Sequence, residues 1–341
     1  MGHTGKRFPG GAVITLEDVA RRAGVSLATA SRVLNGSTRQ VGETMRRRVE
    51  AAAAELGYRT NVAAQTLARG ASNVIGLVVH DLVDPYFAAI ADGAMRAAAE
   101  QGHMVMVGTT YRDPDREIAY VSTLSAQRVR AVLLAGSRVD DPAITGRLRR
   151  ELDRYRASGG QVASVGQDLL GVATVAPANR EGAAALARAL AGLGHRRFAV
   201  LAGPAHLITA ADRHAGFAAE LAALGAPPPQ VIHGPFDRNG GYTAIETLDP
   251  RVTCVFAVND VMAVGALARL RERGVVVPDD LSVAGFDDIA TLRDLTPPLS
   301  TVRLPLAEMG SRAVELALAG ESAVIPVAGE VVLRESARKL R

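Results

Sequence analysis

The sequence predicts a chain of two parts: an all-α head with a helix-turn-helix, and an α/β body of two lobes in which parallel sheets are flanked by helices. Three observations predict it. Residues 15–36 have the spacing of two short helices joined by a tight turn, apolar strands alternate with amphipathic helices from residue 73, and positive charge is concentrated in the first fifth of the chain. At 341 residues, 48% hydrophobic and only 4% aromatic, the chain has room for two or three domains with an aliphatic core.

The helix pair at residues 15–36 carries its own start and stop signals. Thr15 followed by Asp18 predicts a capping box at the start of the first helix. Gly24 predicts its end, because glycine enters a left-handed turn without a steric penalty, and Ser26 predicts the cap of the second helix. The outward side of the second helix consists of Leu27, Ala28, Thr29, Ser31 and Arg32. Such a pair places its second helix in a DNA major groove, and the alternative is an ordinary αα-hairpin in a helical bundle.

The rest of the head and its boundaries follow from composition. A third helix is predicted at Glu43–Leu56, ending at Gly57. A short helix-forming segment at residues 61–69 would be marginal in isolation. The predicted organisation is a disordered extension at 1–13, the head at 14–59, a short helix with a linker at 60–72, and the body at 73–341.

Charge and cysteine content narrow the class of protein. Residues 1–72 contain eleven Lys and Arg against five Asp and Glu, whereas the remainder contains 28 basic and 30 acidic residues. A basic head on a neutral body predicts a polyanionic partner, although a solvated helix face would also explain three consecutive arginines at 46–48. The single cysteine, Cys254, excludes an internal disulfide and predicts a buried, inert thiol. Without a secretory signal or an 18-residue apolar run, we expect a cytoplasmic protein with no membrane partner.

The body shows eight strand-like runs alternating with eight helical ones. The strands are predicted at residues 74–80, 103–108, 131–135, 162–165, 198–202, 230–233, 254–258 and 281–286. The helical tract at 147–160, with a fresh strand after it, suggests two α/β lobes rather than one sheet. Because open parallel sheets bind ligands beyond the carboxyl ends of their strands, two facing lobes predict a ligand cleft.

Five blocks in order give the chain a resemblance to the lactose-repressor/galactose-repressor family of bacterial transcription regulators. They are TLEDVARRAGVSLATASRVLNG at 15–36, RRRVEAAAAELGYRTNVAAQTLARG at 46–70, IGLVVHDLVDPYF at 75–87, FAVNDVMAVGAL at 256–267, and LSVAGFDD with PPLSTV at 281–302. The resemblance implies a homodimer with helix-turn-helix heads, hinge helices at 60–72, and an effector domain like the periplasmic sugar-binding proteins. It implies a repressor of transcription whose pseudo-palindromic operator affinity responds to a small molecule such as a sugar.

The resemblance also assigns residues to DNA. Leu27 and Ala28 occupy positions that read base edges, where apolar contact to a thymine methyl suits them, and Arg32 can reach a guanine. Phosphate and helix-end positions fall on Thr15, Ser26, Thr29, Ser31 and Asn35. In the hinge the corresponding residues are Asn61, Ala64 and Leu67, with Leu67 at the position of a leucine that wedges open the minor groove. The alternatives are that Leu27 packs against another helix and that Leu67 packs on the body.

Effector-binding positions follow from the same resemblance and from the predicted strand ends. Arg213, Asn259 and Asp287 offer a guanidinium, an amide and a carboxylate, which suit a hydroxyl-rich ligand. The remaining positions are Asp81, Tyr86, Phe87, Thr209 and Phe236. The alternatives are an interlobe salt bridge between Arg213 and Asp287, and core packing of the aromatic rings. Ala178 stands before Asn179 where relatives often carry aspartate, so no particular sugar is transferred.

Two other functional classes are disfavoured. The nucleotide, phosphate and serine-nucleophile motifs of enzymes are missing from the sequence, and the seven histidines lack metal-like spacing, so we expect no catalysis, cofactor or metal. A transport receptor would explain the body but not the basic head. No leucine heptad tail follows residue 334, which favours a dimer over a tail-tethered tetramer.

Overall fold

The computed structural model describes residues 14–34, 41–58 and 72–340. The chain divides into two compact units, Met1–Ser72 and Asn73–Arg341, which are treated separately below. The predicted disordered extension at 1–13 and nearly all of the predicted hinge at 60–72 lie outside the described residues.

The first unit contains helices α1 (Leu16–Ala23), α2 (Leu27–Leu34) and α3 (Glu43–Leu56). The capping box is present: the Asp18 amide donates to Thr15 Oγ1 at 3.3 Å, and the Thr15 amide donates to Asp18 Oδ2 at 3.0 Å. Gly24 ends α1 with φ 63°. The small core of the unit consists of Val19, Ala20, Ala23, Ala30, Val49, Ala52 and Ala53.

Arg48 ties the third helix to the turn between the first two. Its Nη2 donates to the Ala23 carbonyl at 2.7 Å, so it satisfies one of the carbonyls that a helix end leaves unpaired. A Cβ added to Gly24 would lie 2.8 Å from the same nitrogen. The φ of this turn therefore favours glycine, and a side chain there would push Arg48 away from the Ala23 carbonyl.

The first lobe of the second unit is built on a six-stranded parallel sheet. Its strands are β1 (Val74–Val79), β2 (Met104–Thr109), β3 (Ala131–Ala135), β4 (Gln161–Val165), β5 (Ala173–Pro177) and β11 (Val324–Val327), in the order β11-β5-β4-β3-β1-β2. Its helices are α4 (Pro85–Glu100), α5 (Pro114–Ala126), α6 (Pro142–Ala157) and α11 (Leu306–Ala319). Helices α4, α5 and α6 all start with an aspartate cap followed by proline, a pair that pre-organises the first turn.

The second lobe is built on a four-stranded parallel sheet. Its strands are β6 (Phe198–Leu201), β7 (Gln230–Ile232), β8 (Cys254–Ala257) and β9 (Ser282–Ala284), in the order β7-β6-β8-β9. Its helices are α7 (Asn179–Gly192), α8 (Ile208–Ala223), α9 (Arg238–Ala244) and α10 (Asp260–Glu272). A separate antiparallel pair joins β10 (Thr301–Arg303) to β12 (Glu330–Val332). Cys254 is fully buried, and burial raises the pKa of its thiol, as expected for an inert residue.

The two separate parallel sheets confirm the predicted two lobes, but the chain divides between them later than the tract at 147–160. The strand after residue 160 does not open a second lobe: β4 pairs with β3, and β5, which the sequence analysis missed, pairs with β4. The chain leaves the first sheet after β5, returns through α11 and β11, and leaves again toward β12. Periodicity identifies a strand but not its neighbour, so a local pattern cannot say which sheet a strand joins.

Helices α4 and α11 pack closely enough that their backbones nearly touch. A Cβ on Gly93 would lie 1.8 Å from the Ala307 carbonyl oxygen, and one on Gly310 would lie 2.0 Å from that of Ile90. This contact attaches the late helix α11 to the first lobe. Among the described residues, no helix has both the length and the apolar character that a membrane span requires.

Candidate functional sites

The cleft between the two lobes holds a cavity of about 460 Å³, part of it open to solvent. Residues at its wall follow the carboxyl ends of strands in both sheets, as predicted for open parallel sheets. The lining is His80, Asp84, Tyr86, Phe87, Arg112, Gly136, Ser137, Pro177, Asn179, Leu207, Thr209, Arg213, Phe236, Asn259 and Asp287. Seven of the eight predicted effector residues are among them.

Arg213 is the most extensively bonded side chain of this wall. It is 2% exposed, and its guanidinium donates to Asn179 Oδ1, the Val258 carbonyl and Asp287 Oδ1, each at 2.8 Å. Its Cζ also lies 3.8 Å from the ring centroid of Phe286. Arg213 and Asp287 do form an ion pair, but it joins α8 to the turn after β9 inside the second lobe, not across the lobes. The guanidinium is therefore fixed in place before any ligand arrives.

Asp287 sits in a backbone conformation that few non-glycine residues adopt, with φ 125°. Loss of hydration raises the pKa of its carboxyl, and the charge of Arg213 opposes that rise, so the carboxylate depends on Arg213 to stay ionised. The next residue, Asp288, accepts from Arg303 at 2.7 Å and from Arg334 at 2.6 Å, a structural role that agrees with its absence from the cavity wall. Asp287 therefore belongs to the cavity wall, whereas Asp288 binds two arginines away from it.

Two residues that cap helices add further hydrogen-bond acceptors to the cavity wall. Asn259 caps α10, its Oδ1 accepting from the Met262 amide at 2.9 Å. Asp84 caps α4 through the Tyr86 amide at 3.0 Å, and burial raises the pKa of its carboxyl. Asp84 is a wall residue that the sequence analysis passed over, although it stands in the quoted DPYF segment.

Aromatic rings face the cavity from both lobes. Tyr86 and Phe87 meet edge to face with centroids 5.0 Å apart, and Phe87 is only 4% exposed, so its ring also belongs to the core. Phe236 of the second lobe carries the guanidinium of Arg112 from the first lobe over its ring, 5.5 Å from the centroid. The rings offer a flat apolar surface beside the polar groups.

His80 is the principal residue that the sequence analysis missed. Its Nε2 lies 3.0 Å from the Ser137 carbonyl, which can only accept, so Nε2 carries the proton and Nδ1 accepts from the Thr110 hydroxyl at 3.1 Å. Burial, assisted by the charge of Arg138, lowers the pKa of the ring to about 4. Its only sequence signal was its position at the end of the first predicted strand.

A hydrogen-bonded clasp joins the lobes beside the cavity; it consists of residues 137–140 and 206–209. Val139 and Leu207 form an antiparallel bridge, and the Asp140 amide donates to the His206 carbonyl at 2.8 Å. Gln167 supports it from the first lobe, because its Nε2 donates to Thr209 Oγ1 and its Oε1 accepts from the Arg138 amide, both at 2.8 Å. The predicted residue Thr209 thus lines the cleft and also holds it closed.

Asp81 is the predicted effector residue that the structure leaves off the cavity wall. Its carboxylate accepts from the Val83 amide at 3.0 Å and so shapes the turn before α4. Arg112 and Ser137 line the cavity without having been predicted, since turn residues after a strand carry no periodic pattern.

The first unit exposes the predicted side of α2. Leu27 is 46% exposed, and Ala28 and Arg32 are also exposed. Thr29 and Ser31 are half-buried, whereas Ala30 is buried. Ser26 Oγ accepts from the Thr29 amide at 3.1 Å, and Thr15 forms the capping box, so both support helix ends. The predicted residues Asn35, Asn61, Ala64 and Leu67 lie outside the described residues.

Two family models match this chain. Residues 15–61 match bacterial regulatory proteins of the lacI family, and residues 187–336 match the periplasmic binding protein-like domain. Over 322 residues, 92% of each chain, the protein is 36% identical to the HTH-type transcriptional regulator GalS of Salmonella typhimurium. It is 33% identical to the HTH-type transcriptional repressor PurR of Escherichia fergusonii, over 89% of each chain.

Solved structures give the same result for the fold. A complex of the transcriptional regulator CelR with cellobiose matches 95% of this chain and 99% of its own, at 32% identity and a TM-score of 0.67. The lac repressor dimer bound to operator and the anti-inducer ONPF matches 96% of this chain and 100% of its own, at 27% identity and a TM-score of 0.82.

Proposed function

Because the chain belongs to the lacI family of bacterial regulatory proteins, we propose that α2 reads an operator and that the cleft binds the effector controlling it. The protein is a DNA-binding transcriptional repressor regulated by a small molecule, not an enzyme. The observation that carries the effector site is the buried guanidinium of Arg213, held by three hydrogen bonds at the wall of a cavity between two lobes.

The proposed DNA contacts follow from what α2 exposes. Leu27 and Ala28 have no hydrogen-bonding side chain, so they suit the methyl group of thymine. Arg32 can donate two hydrogen bonds to guanine O6 and N7. Thr29, Ser31 and Asn35 supply phosphate contacts, which set the register on the duplex, and Leu67 wedges the central base step.

The proposed effector is a hydroxyl-rich ring such as a sugar. A hydroxyl donates and accepts at once, and the cleft offers donors on Arg213 and acceptors on Asp287 and Asn259. The rings of Tyr86 and Phe236 can cover the apolar face of such a ligand. The cellobiose complex of CelR supports this class, whereas Ala178 in place of an aspartate argues against copying one relative's sugar.

The proposed working assembly is a cytoplasmic homodimer, as in the lac repressor dimer structure. Two copies of α2 would then meet the two halves of a pseudo-palindromic operator. An effector changes operator affinity only insofar as it binds one state of the lobes better than the other.

The effector site is tested by calorimetry on the full chain with a panel of mono- and disaccharides. A binding sugar should give heat with the wild type and none with Arg213→Ala, because the variant loses the cation of the wall. Arg188→Ala is the matched control: Arg188 forms a two-point pair with Glu220 at 2.8 and 2.9 Å, but its side chain is 64% exposed on α7. Unchanged affinity in Arg213→Ala would contradict the site.

The DNA contacts are tested on duplexes that the wild type selects from a random pool. Arg32→Ala should weaken binding to the selected duplex by about 1–3 kcal/mol and relax preference at one base pair. Leu67→Ala should weaken selected duplexes more than unselected ones. Arg22→Ala, an exposed arginine paired with Glu55 in the same unit, should change neither preference. Equal losses on both kinds of duplex would refute the assignments.

A further inference from the structure

Four arginines lie at the edge of the first sheet where its strands begin; we call Arg128, Arg130, Arg154 and Arg156 the basic rim. Arg128 and Arg130 occupy the turn between α5 and β3, and the other two occupy the last turn of α6. The Arg130 amide donates to the Val74 carbonyl at 2.7 Å, next to the residue with which the second unit begins. Arg130 therefore lies beside the point at which the chain enters the body.

The charge of the rim is only partly neutralised. Arg154 pairs with Glu151, and Arg156 lies 3.8 Å from the Asp153 carboxylate. Within the described residues, no carboxylate lies within ion-pair distance of Arg128 or Arg130, and Arg128 is exposed. The rim is thus a local excess of positive charge on a body with two more acidic than basic residues.

The backbone at Arg128 is a second unusual feature. Its φ of 52° is a left-handed conformation for which glycine or asparagine would be cheaper than arginine. Among the residues that the structure describes, four other non-glycine residues have positive φ: Tyr111, Arg112, Asp287 and Asp288. Two of them, Arg112 and Asp287, line the effector cleft. Costly backbone conformations tend to persist where a side chain has a use.

The chain leading to the rim extends the basic character of the first unit. Residues 59–72 contain Arg59 and Arg69 and no acidic residue. Fully extended, this segment spans at most about 45 Å, so the body stays tethered to a head that binds DNA. Tethering raises the local concentration of phosphates, which lie at one charge per about 1.7 Å of duplex.

We propose that the basic rim binds DNA phosphates beside the base pairs read by α2, so that the effector domain is itself part of the DNA-binding surface. This inference rests on the proposed function, because it takes the DNA from that proposal. The contacts carry no sequence information and add to affinity through release of counterions. An acidic protein is the other class of partner for such a surface, and the test separates the two.

The test uses the full chain with Arg128→Asn and Arg130→Gln combined. Asparagine tolerates the left-handed backbone, so the variant should fold, which a circular-dichroism melt checks. Binding to a random-sequence duplex is measured between about 50 and 200 mM salt. The slope of log K against log salt should fall by about 0.9 for each phosphate that the variant no longer neutralises, hence by almost 2 per protomer.

Arg197→Gln with Arg293→Gln is the matched control, because both are exposed arginines of the second lobe without an ion pair among the described residues. Its slope should equal that of the wild type. An unchanged slope in the rim variant, as an acidic protein partner would produce, overturns the inference, and so does an equal fall in the control. A wild type whose binding to duplexes shows no salt dependence at all would instead contradict the proposed DNA function.

Discussion

Replacing Arg213 with methionine removes the cation from the cleft wall while keeping a similar length of side chain. Three hydrogen bonds of 2.8 Å disappear, and the Asp287 carboxylate is left buried without its partner. The two side chains are 2% and 6% exposed, so water cannot replace the lost charge. Breaking a buried pair in this way costs about 3–5 kcal/mol, which corresponds to a fall in Tm of about 10 °C for a domain of this size.

The pairwise part of that loss is measured by a double-mutant cycle. Asp287→Asn keeps the shape of the side chain and removes its charge, and asparagine tolerates positive φ. The double variant should be less destabilised than the sum of the two single variants by at least about 2 kcal/mol, because neither group is then left unpaired. Urea unfolding followed by circular dichroism gives the free energies of unfolding.

Arg188→Met is the control, because it breaks an ion pair of the same chemistry as the Arg213–Asp287 pair but on an exposed surface. It breaks the same guanidinium–carboxylate pairing with Glu220, but on an exposed surface where such pairs contribute at most about 1 kcal/mol. Additive losses in the cycle, or a similar cost for Arg188→Met and Arg213→Met, would refute the argument from burial.

Three further predictions concern other parts of the body. The His80 pKa is lowered to about 4 in the folded protein, so between about pH 4 and 6.5 only the unfolded chain binds a proton at this residue. The free energy of unfolding should therefore be highest above pH 6.5 and fall by up to about 3 kcal/mol as the pH decreases. In unfolding experiments at several pH values, His80→Gln should flatten that loss. Gln167→Ala removes both bonds to the clasp and leaves the Arg138 amide unpaired, so the apo protein should open, with a larger radius of gyration by X-ray scattering; an unchanged radius would contradict the role of the clasp. Gly93→Ala should destabilise the body by about 1–3 kcal/mol in urea, because the methyl group meets the Ala307 carbonyl, and a neutral result would mean that the helices can separate without cost.

Local patterns predicted the helices well because their signals lie within one turn of chain. The bounds of α3 agree with the prediction at both ends, and the capping box at Thr15 and the turn at Gly24 have the predicted geometry. The assignment of β4 and β5 to the first sheet could not be predicted, because pairing partners far apart in sequence decide it.

The same distinction applies to the cleft. Asn259 and Asp287 were found because they follow predicted strands within blocks that resemble a family, and Arg213 because it matches a position of that family. His80 and Arg112 were missed although they line the same cavity. Asp81 shows the converse: a carboxylate at the right place in the sequence is used by its own turn. For His80, Arg112 and Asp81 alike, the direction of the side chain decides whether the residue lines the cavity, and no spacing rule gives that direction for a turn residue.

The three crossings of the chain mean that neither lobe is a continuous stretch of polypeptide. The first lobe needs residues 306–327 in addition to those up to 177, and the second needs residues 330–340 to cover β9 and β10. A protease cut at any one crossing would leave the halves connected by the other two. A gene fragment ending near residue 178 would lack the helix that covers Gly93 and the strand that pairs with β5. The body should consequently melt in one cooperative step, and separate expression of a single lobe would require rejoining distant segments with an artificial loop.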